Sequence, residues 1–158
     1  MNTRKWVAAG FTGACLALVA ATAMLSVAEA QAPASTIATR KEAMKGNGAA
    51  AGALNRMVRG ENPWNQQAAV TAATAINDTA KKIPALFPAG SGTGETNALP
   101  AIWEKNADFL AAAKKLEEAS CNVLKAAQAN DEAGVKAAFP TVGQACGGCH
   151  TPYRKPLT

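Results

Sequence analysis

Histidine is almost absent from this 158-residue chain, which has His150 alone, and aromatic residues make up only 5% of it. No second imidazole is available for acid–base catalysis, so the sequence does not predict an enzyme. Runs that alternate apolar and β-branched residues are missing too, which argues against β-strands. The net charge of +5 is too small to indicate a nucleic-acid binder or a membrane-surface binder.

Residues 1–30 are typical of a secretory signal peptide. Arg4 and Lys5 precede an uncharged apolar run, and Ala28-Glu29-Ala30 fits the small-x-small pattern of a cleavage site. The sequence therefore predicts a mature domain over residues 31–158, with no stable membrane insertion after cleavage. A retained membrane anchor is the alternative, because the apolar run has roughly the 20 residues that a spanning helix needs.

The mature part is rich in alanine, lysine, leucine, glutamate and glutamine, which favour helices. Asn62-Pro63 and Asn130-Asp131 are each typical of a helix start, and Pro140 is expected to kink or split the last helix. Prolines and glycines over residues 83–100 indicate an irregular crossover. We predict an all-α, antiparallel up-down-up-down four-helix bundle. Its helices are expected over residues 36–58, 63–83 and 101–129, and from residue 131 onward.

The third predicted helix has the clearest apolar face. Ile102, Phe109, Leu116 and Val123 recur every seven residues, and Leu110 is among the residues expected to broaden this face. The side chains on such a face pack together in the core of a bundle.

Cys146-Gly147-Gly148-Cys149-His150 forms a C-x-x-C-H box, a pattern that attaches haem covalently. On a helix, the three- and four-residue spacings place both thiols and the imidazole on one face. Three other interpretations stay open. They are a thioredoxin-like redox pair, a zinc site that includes Cys121, and a chance occurrence of the pattern.

The box is followed by Thr151-Pro152-Tyr153-Arg154, and Arg40 stands four residues before Met44. With these motifs the chain resembles the class II c-type cytochromes, the cytochrome c′ family, over essentially all of residues 36–155. Pro152 departs from a smooth terminal helix and could end it early. The resemblance implies one covalent haem c held by Cys146 and Cys149. It also implies His150 and Met44 as axial iron ligands, with Arg40 and Arg154 near the haem propionates.

Met44 and Met57 are the two methionines of the mature part. Met44 shares a seven-residue stripe with Ile37 and Val58, whereas Met57 lies about 220° further around an ideal helix. This difference favours Met44 as the ligand, with core filling as the alternative. Three glycines between positions 46 and 52 weaken the same helix and indicate that something bulky approaches its backbone.

The combination of export signal and haem attachment predicts a periplasmic electron carrier that exchanges electrons with redox partner proteins. The alternative is a five-coordinate, high-spin protein that binds nitric oxide or carbon monoxide, if Met44 does not ligate. A homodimer is possible by resemblance to the family.

Overall fold

The computed structural model describes the backbone of residues 16–156 and the side chains of residues 34–156. The chain divides into two compact units, residues 1–32 and residues 33–158. The signal peptide predicted over residues 1–30 falls in the first unit. Residues 1–15 and the side chains of residues 16–33 lie outside the described part, so the signal peptide stays a prediction. Within the described part, no helix combines the length and apolar character needed to cross a membrane.

The described part of the chain is helical, as predicted. A single isolated bridge, between Ala98 and Arg154, is the only extended pairing among the described residues. The helices, in chain order, are α1 (Leu16–Val58), α2 (Gln66–Lys82), a 3₁₀ turn (Ile83–Leu86), α3 (Ala101–Glu104), α4 (Asn106–Gln128) and α5 (Glu132–Tyr153).

The start of α2 differs from the prediction at Asn62. The N-cap is Asn65, whose side-chain oxygen accepts a hydrogen bond of 2.8 Å from the backbone N–H of Ala68. Asn62 instead belongs to the end of α1, because its own N–H donates to the carbonyl of Arg56 at 3.1 Å. Gly60, at a φ of 73°, makes the left-handed turn that this ending requires.

The third predicted helix is divided into α3 and α4 at Lys105, whose φ of −118° and ψ of 48° are not helical. The side chain of Asn106 donates to the carbonyl of Ile102 at 3.3 Å. In a continuous helix, that carbonyl would accept from the backbone N–H of Asn106. A side-chain amide thus replaces one backbone bond, which is a competition typical of asparagine.

The last predicted helix is not split at Pro140, so the expected split was wrong, and it continues one residue past Pro152 to Tyr153. α5 runs through both prolines, and Asp131 caps it by accepting from the N–H of Gly134 at 2.8 Å. A proline removes one backbone donor, and packing on both sides can hold the remaining turns together. Val135 and Val142, on either side of Pro140, are both completely buried.

One hydrophobic core joins the four long helices of the second unit. The predicted face of the third segment is confirmed in part, since Ile102 and the three residues that follow it at seven-residue spacing are all buried. Leu110 is 39% exposed, so its predicted place on this face was wrong. The largest contributors to the core are Leu54 from α1, Ile76 from α2, Phe109, Leu116 and Val123 from α4, and Val135 and Val142 from α5.

The crossover between α2 and α3 is irregular, as predicted, after its opening 3₁₀ turn. Trp103 holds it, because the indole N–H donates to the carbonyls of Phe87 at 3.2 Å and Pro88 at 3.0 Å. A Cβ atom added to Gly92 would lie 2.8 Å from the Trp103 ring, so only glycine fits there. The N–H of Lys155 donates to the carbonyl of Asn97 at 2.8 Å, which ties the crossover to the end of α5.

Candidate functional site

A cavity of about 520 Å³ lies within the second unit, bordered by α1, α5 and the crossover. Its floor is apolar and is formed by core residues of α2 and α4, among them Ile76, Phe109 and Leu116. The volume is in the range of natural cofactor pockets. All six residues predicted for the site line it, namely Arg40, Met44, Cys146, Cys149, His150 and Arg154.

The two thiols of the C-x-x-C-H box lie on the last turns of α5, and both are free and half-buried. Burial raises the pKa of Cys146, and burial together with the nearby Cys146 raises the pKa of Cys149. The protonated thiol is therefore favoured at both positions. This environment is the opposite of the one that activates the thiolate of a redox-exchange cysteine.

His150 follows directly and is also half-buried. Burial lowers its pKa, and the positive charge of Arg154 lowers the pKa further. Both effects favour the neutral imidazole. A neutral ring has a free nitrogen lone pair, which is the form that a metal ion requires.

Met44 lines the cavity from α1, so His150 and Met44 reach the same space from two different helices. Met57 is only 5% exposed and belongs to the core, away from the cavity lining. Of the two, Met44 is thus the methionine that borders the cavity.

Gly46 and Gly48 of α1 have no close protein neighbour, although the sequence indicated that something bulky approaches this backbone. A Cβ atom added to Gly46 or Gly48 would meet no described protein atom within 4 Å, so no part of the protein approaches them closely. Gly48 nevertheless lines the cavity and is exposed. The surface of α1 beside the cavity is therefore bare rather than tightly packed.

Arg40 is the most completely buried charge at the site, with 5% exposure. Its Nη2 donates to the carbonyl of Ser91 at 2.9 Å, and its guanidinium carbon lies 4.3 Å from the centre of the Phe87 ring. Burial lowers the pKa of Arg40. Its Nε and Nη1 atoms are buried without an acceptor, and such unpaired donors are costly.

Two further polar atoms at the cavity are buried without partners, the Nε of Arg154 and the Oδ1 of Asn47. The backbone of Arg154 pairs with that of Ala98 in the isolated bridge. Its own N–H donates to the carbonyl of His150 at 3.1 Å. Unsatisfied guanidinium donors on two elements match a ligand with two carboxylates. A flat apolar macrocycle with two propionates, such as haem, has this chemistry, so the residues present fit it.

Sequence reasoning missed Phe87 and Asn47. The Phe87 ring packs edge-on against Phe109 at 4.9 Å, and Phe109 packs in the same way against Tyr153 at 5.3 Å between ring centres. All three rings line the cavity. Phe87 lies in a proline-rich crossover without periodicity, so no sequence pattern pointed to it, whereas Asn47 could have been found one turn after Met44.

The zinc interpretation is not supported. Among the described residues, no three histidine, cysteine or acidic side chains are close enough to hold a metal ion together. Cys121 is half-buried on α4 and is not part of the cavity lining. No third cysteine therefore lies beside the C-x-x-C-H box in the described part of the cavity.

Comparison with known proteins agrees with the fold and the cavity. The family model described as Cytochrome C′ matches residues 35–154. Cytochrome c-556 of Agrobacterium tumefaciens (strain II Chrys) is 44% identical over 115 residues, which are 73% of this chain and 93% of that protein. Cytochrome c′ of Rhodopseudomonas palustris is 39% identical over 142 residues, 88% of this chain and 94% of that protein.

Among solved structures, cytochrome c′ from Rubrivivax gelatinosus superposes with a TM-score of 0.74 at 30% identity, covering 78% of this chain and 97% of that one. This likeness confirms the predicted four-helix bundle. Since the family match spans most of the chain and the bundle encloses a cavity with a C-x-x-C-H box on its wall, the protein belongs to the cytochrome c′ family of c-type cytochromes, which bind haem c covalently.

Proposed function

We propose that the protein is a periplasmic mono-haem electron carrier with His150 and Met44 as the axial iron ligands. The observation that supports this most directly is that, among the described residues, Met44 is the only methionine lining the cavity, which His150, the single histidine of the sequence, also lines. Methionine and histidine are the axial pair of electron-transferring c-type cytochromes.

Cys146 and Cys149 would hold the haem by thioether bonds, and Arg40 and Arg154 would bind its propionates. The unpaired Nε and Nη1 of Arg40 and the unpaired Nε of Arg154 are available for charge-assisted hydrogen bonds to carboxylates. Ser91 and Phe87 hold the Arg40 side chain in position for this contact.

Bound haem supplies a one-electron couple at its iron. When haem is bound, His150 from α5 and Met44 from α1 would hold its iron, and the apolar and aromatic side chains of the cavity would surround the cofactor. A thioether in the sixth position must be displaced before an exogenous gas can bind. This arrangement favours electron exchange with partner proteins over gas binding. The predicted export signal supports a periplasmic location.

The second candidate is a five-coordinate protein that binds nitric oxide or carbon monoxide. The carboxamide of Asn47, one turn after Met44 on the same wall, favours it, because its Oδ1 is buried without a partner. A polar group beside the sixth position suits hydrogen bonding to an exogenous ligand.

The visible spectrum of the reduced protein, recorded with and without carbon monoxide, separates the two candidates. We expect sharp, resolved low-spin bands that carbon monoxide leaves unchanged. Met44→Ala should give broad bands and bind carbon monoxide, whereas Met57→Leu, which changes a core methionine away from the cavity, should behave as the wild type. A Met44→Ala protein that keeps the low-spin spectrum would exclude Met44 as the ligand.

A further inference from the structure

The opening of the cavity, here called the cavity mouth, is defined by the exposed lining residues Lys41, Gly48 and Asn97. Among the residues that the structure describes, no acidic side chain lines the cavity, whereas Arg40, Lys41 and Arg154 all do. Lys155 adds a charge at this edge, because its Nζ donates to the carbonyl of the lining residue Thr96 at 3.3 Å. The charged residues that line the cavity are therefore all positive.

These cations lack carboxylate partners within the described part of the chain. Its four ion pairs join Arg59 with Glu61, Lys81 with Asp78, Lys114 with Glu117, and Lys136 with Glu132, and none involves a residue lining the cavity. Glu42 and Glu95 are exposed neighbours in sequence of Lys41 and Thr96, but neither forms an ion pair. Glu42 is one residue from Lys41 on α1 and so projects in a different direction.

The proposed propionate contacts would neutralise Arg40 and Arg154 and leave Lys41 and Lys155 unpaired. Beside Lys41, on the same face of α1, Gly48 leaves the surface without a side chain, since it is exposed and has no described neighbour within 4 Å of an added Cβ. Another molecule could approach the cavity closely at this point. Because electron exchange requires close approach to the cofactor, a bare surface with flanking lysines is suited to docking.

We infer that the cavity mouth is the docking surface for an acidic face of a redox partner protein, an inference that rests on the proposed electron-carrier function. Carboxylates of the partner would pair with Lys41 and Lys155, and its backbone or small side chains would lie over Gly48. Complementary charge of this kind accelerates encounter and is weakened by salt.

The test compares the oxidation rates of the reduced holoprotein by anionic hexacyanoferrate(III) and by cationic tris(phenanthroline)cobalt(III). At about 10 mM ionic strength, charges act over roughly 30 Å. Lys41→Glu and Lys155→Glu should each slow the anionic reagent by about fivefold and accelerate the cationic one. Lys125→Glu is the matched control, since it makes the same charge change at an exposed position near the end of α4, away from the cavity.

Equal rate changes in Lys41→Glu and Lys125→Glu would mean that only the net charge of the protein matters. This result would contradict the proposed docking surface but not the carrier function. A reduced wild type that gives electrons to neither reagent would overturn the carrier function itself. Co-sedimentation of the wild type, but not of Lys41→Glu, with phosphatidylglycerol vesicles would assign the mouth to a membrane and overturn the protein partner.

Discussion

Arg40 is the residue whose environment depends most on what fills the cavity. It is buried, one donor is bound to Ser91, and two donors have no acceptor. Without a carboxylate in the cavity, these donors would destabilise the fold. Arg40 therefore links the stability of the bundle to the cofactor.

We expect Arg40→Gln to lower the unfolding free energy of the holoprotein by about 1–3 kcal/mol, because charge-assisted hydrogen bonds to a propionate are lost. Denaturant titration of the Soret absorbance measures this change. The control is Arg59→Gln, since the exposed Arg59 side chain pairs with Glu61 at 2.9 Å. This change should lower the unfolding free energy by less than about 1 kcal/mol. If both variants lost the same unfolding free energy, the proposed contact between Arg40 and a propionate would be contradicted.

His150 gives the site a defined response to acid. Its pKa lies below the ordinary value of 6.5 because of burial and of Arg154, so the unfolded chain takes up a proton there first as the pH falls. The stability that His150 contributes is present above about pH 6.5 and is lost as the pH falls through the lowered value.

In the haem-free protein, removal of the positive charge in Arg154→Gln should raise the pKa of His150. A proton NMR titration of the single imidazole in both haem-free proteins measures the midpoint. Lys155→Gln, which changes the next residue but not the charge that acts on His150, is the control. A midpoint that moves to lower pH in Arg154→Gln would contradict the account.

The site residues could be predicted from sequence to the extent that they belong to motifs. The box gave Cys146, Cys149 and His150, and the arginine–methionine spacing gave Met44, all of which line one cavity. Phe87 and Ser91, which hold Arg40, come from an irregular segment in which no periodicity relates sequence to position. Their contacts depend on how the crossover folds over α1.

At the scale of the helices, α1 provides both a wall of the cavity and part of the core. Leu54 is completely buried in the core cluster. Leu54→Ala should therefore lower the unfolding free energy by about 2–5 kcal/mol, through lost burial and the cavity left behind. Leu110→Ala, at a site that is 39% exposed, is the matched control and should cost less than about 1 kcal/mol.

Thermal or denaturant unfolding of the two leucine variants measures both values. If Leu110→Ala lowered the unfolding free energy as much as Leu54→Ala does, Leu110 would be covered in solution, for example by a second copy of the chain. The structure of the single chain would then describe the α4 surface incompletely.

Helix boundaries were predictable where one signal acted alone. Asp131 caps α5 as expected by accepting from the N–H of Gly134, while the side chain of the neighbouring Asn130 accepts from Trp64. The start of α2 was misplaced, because Asn62 and Asn65 are both good N-caps and the end of α1 uses the first. The break at Lys105 depends on a side-chain bond from Asn106 that helix propensity does not reveal.

At the scale of the whole molecule, periodicity and the C-terminal motif were enough to predict a haem-binding four-helix bundle. Seven-residue spacing identified the buried face of α4, and the length of the crossover separated the second and third helices. The position of the bare α1 surface beside the cavity followed only from the packed structure.

The most direct test of the account is the intact mass of the protein purified under denaturing conditions from cells competent in cytochrome maturation. We predict the mass of residues 31–158 plus one haem, because the thioether bonds of Cys146 and Cys149 survive unfolding. The mass of the polypeptide alone would contradict covalent attachment through these two cysteines.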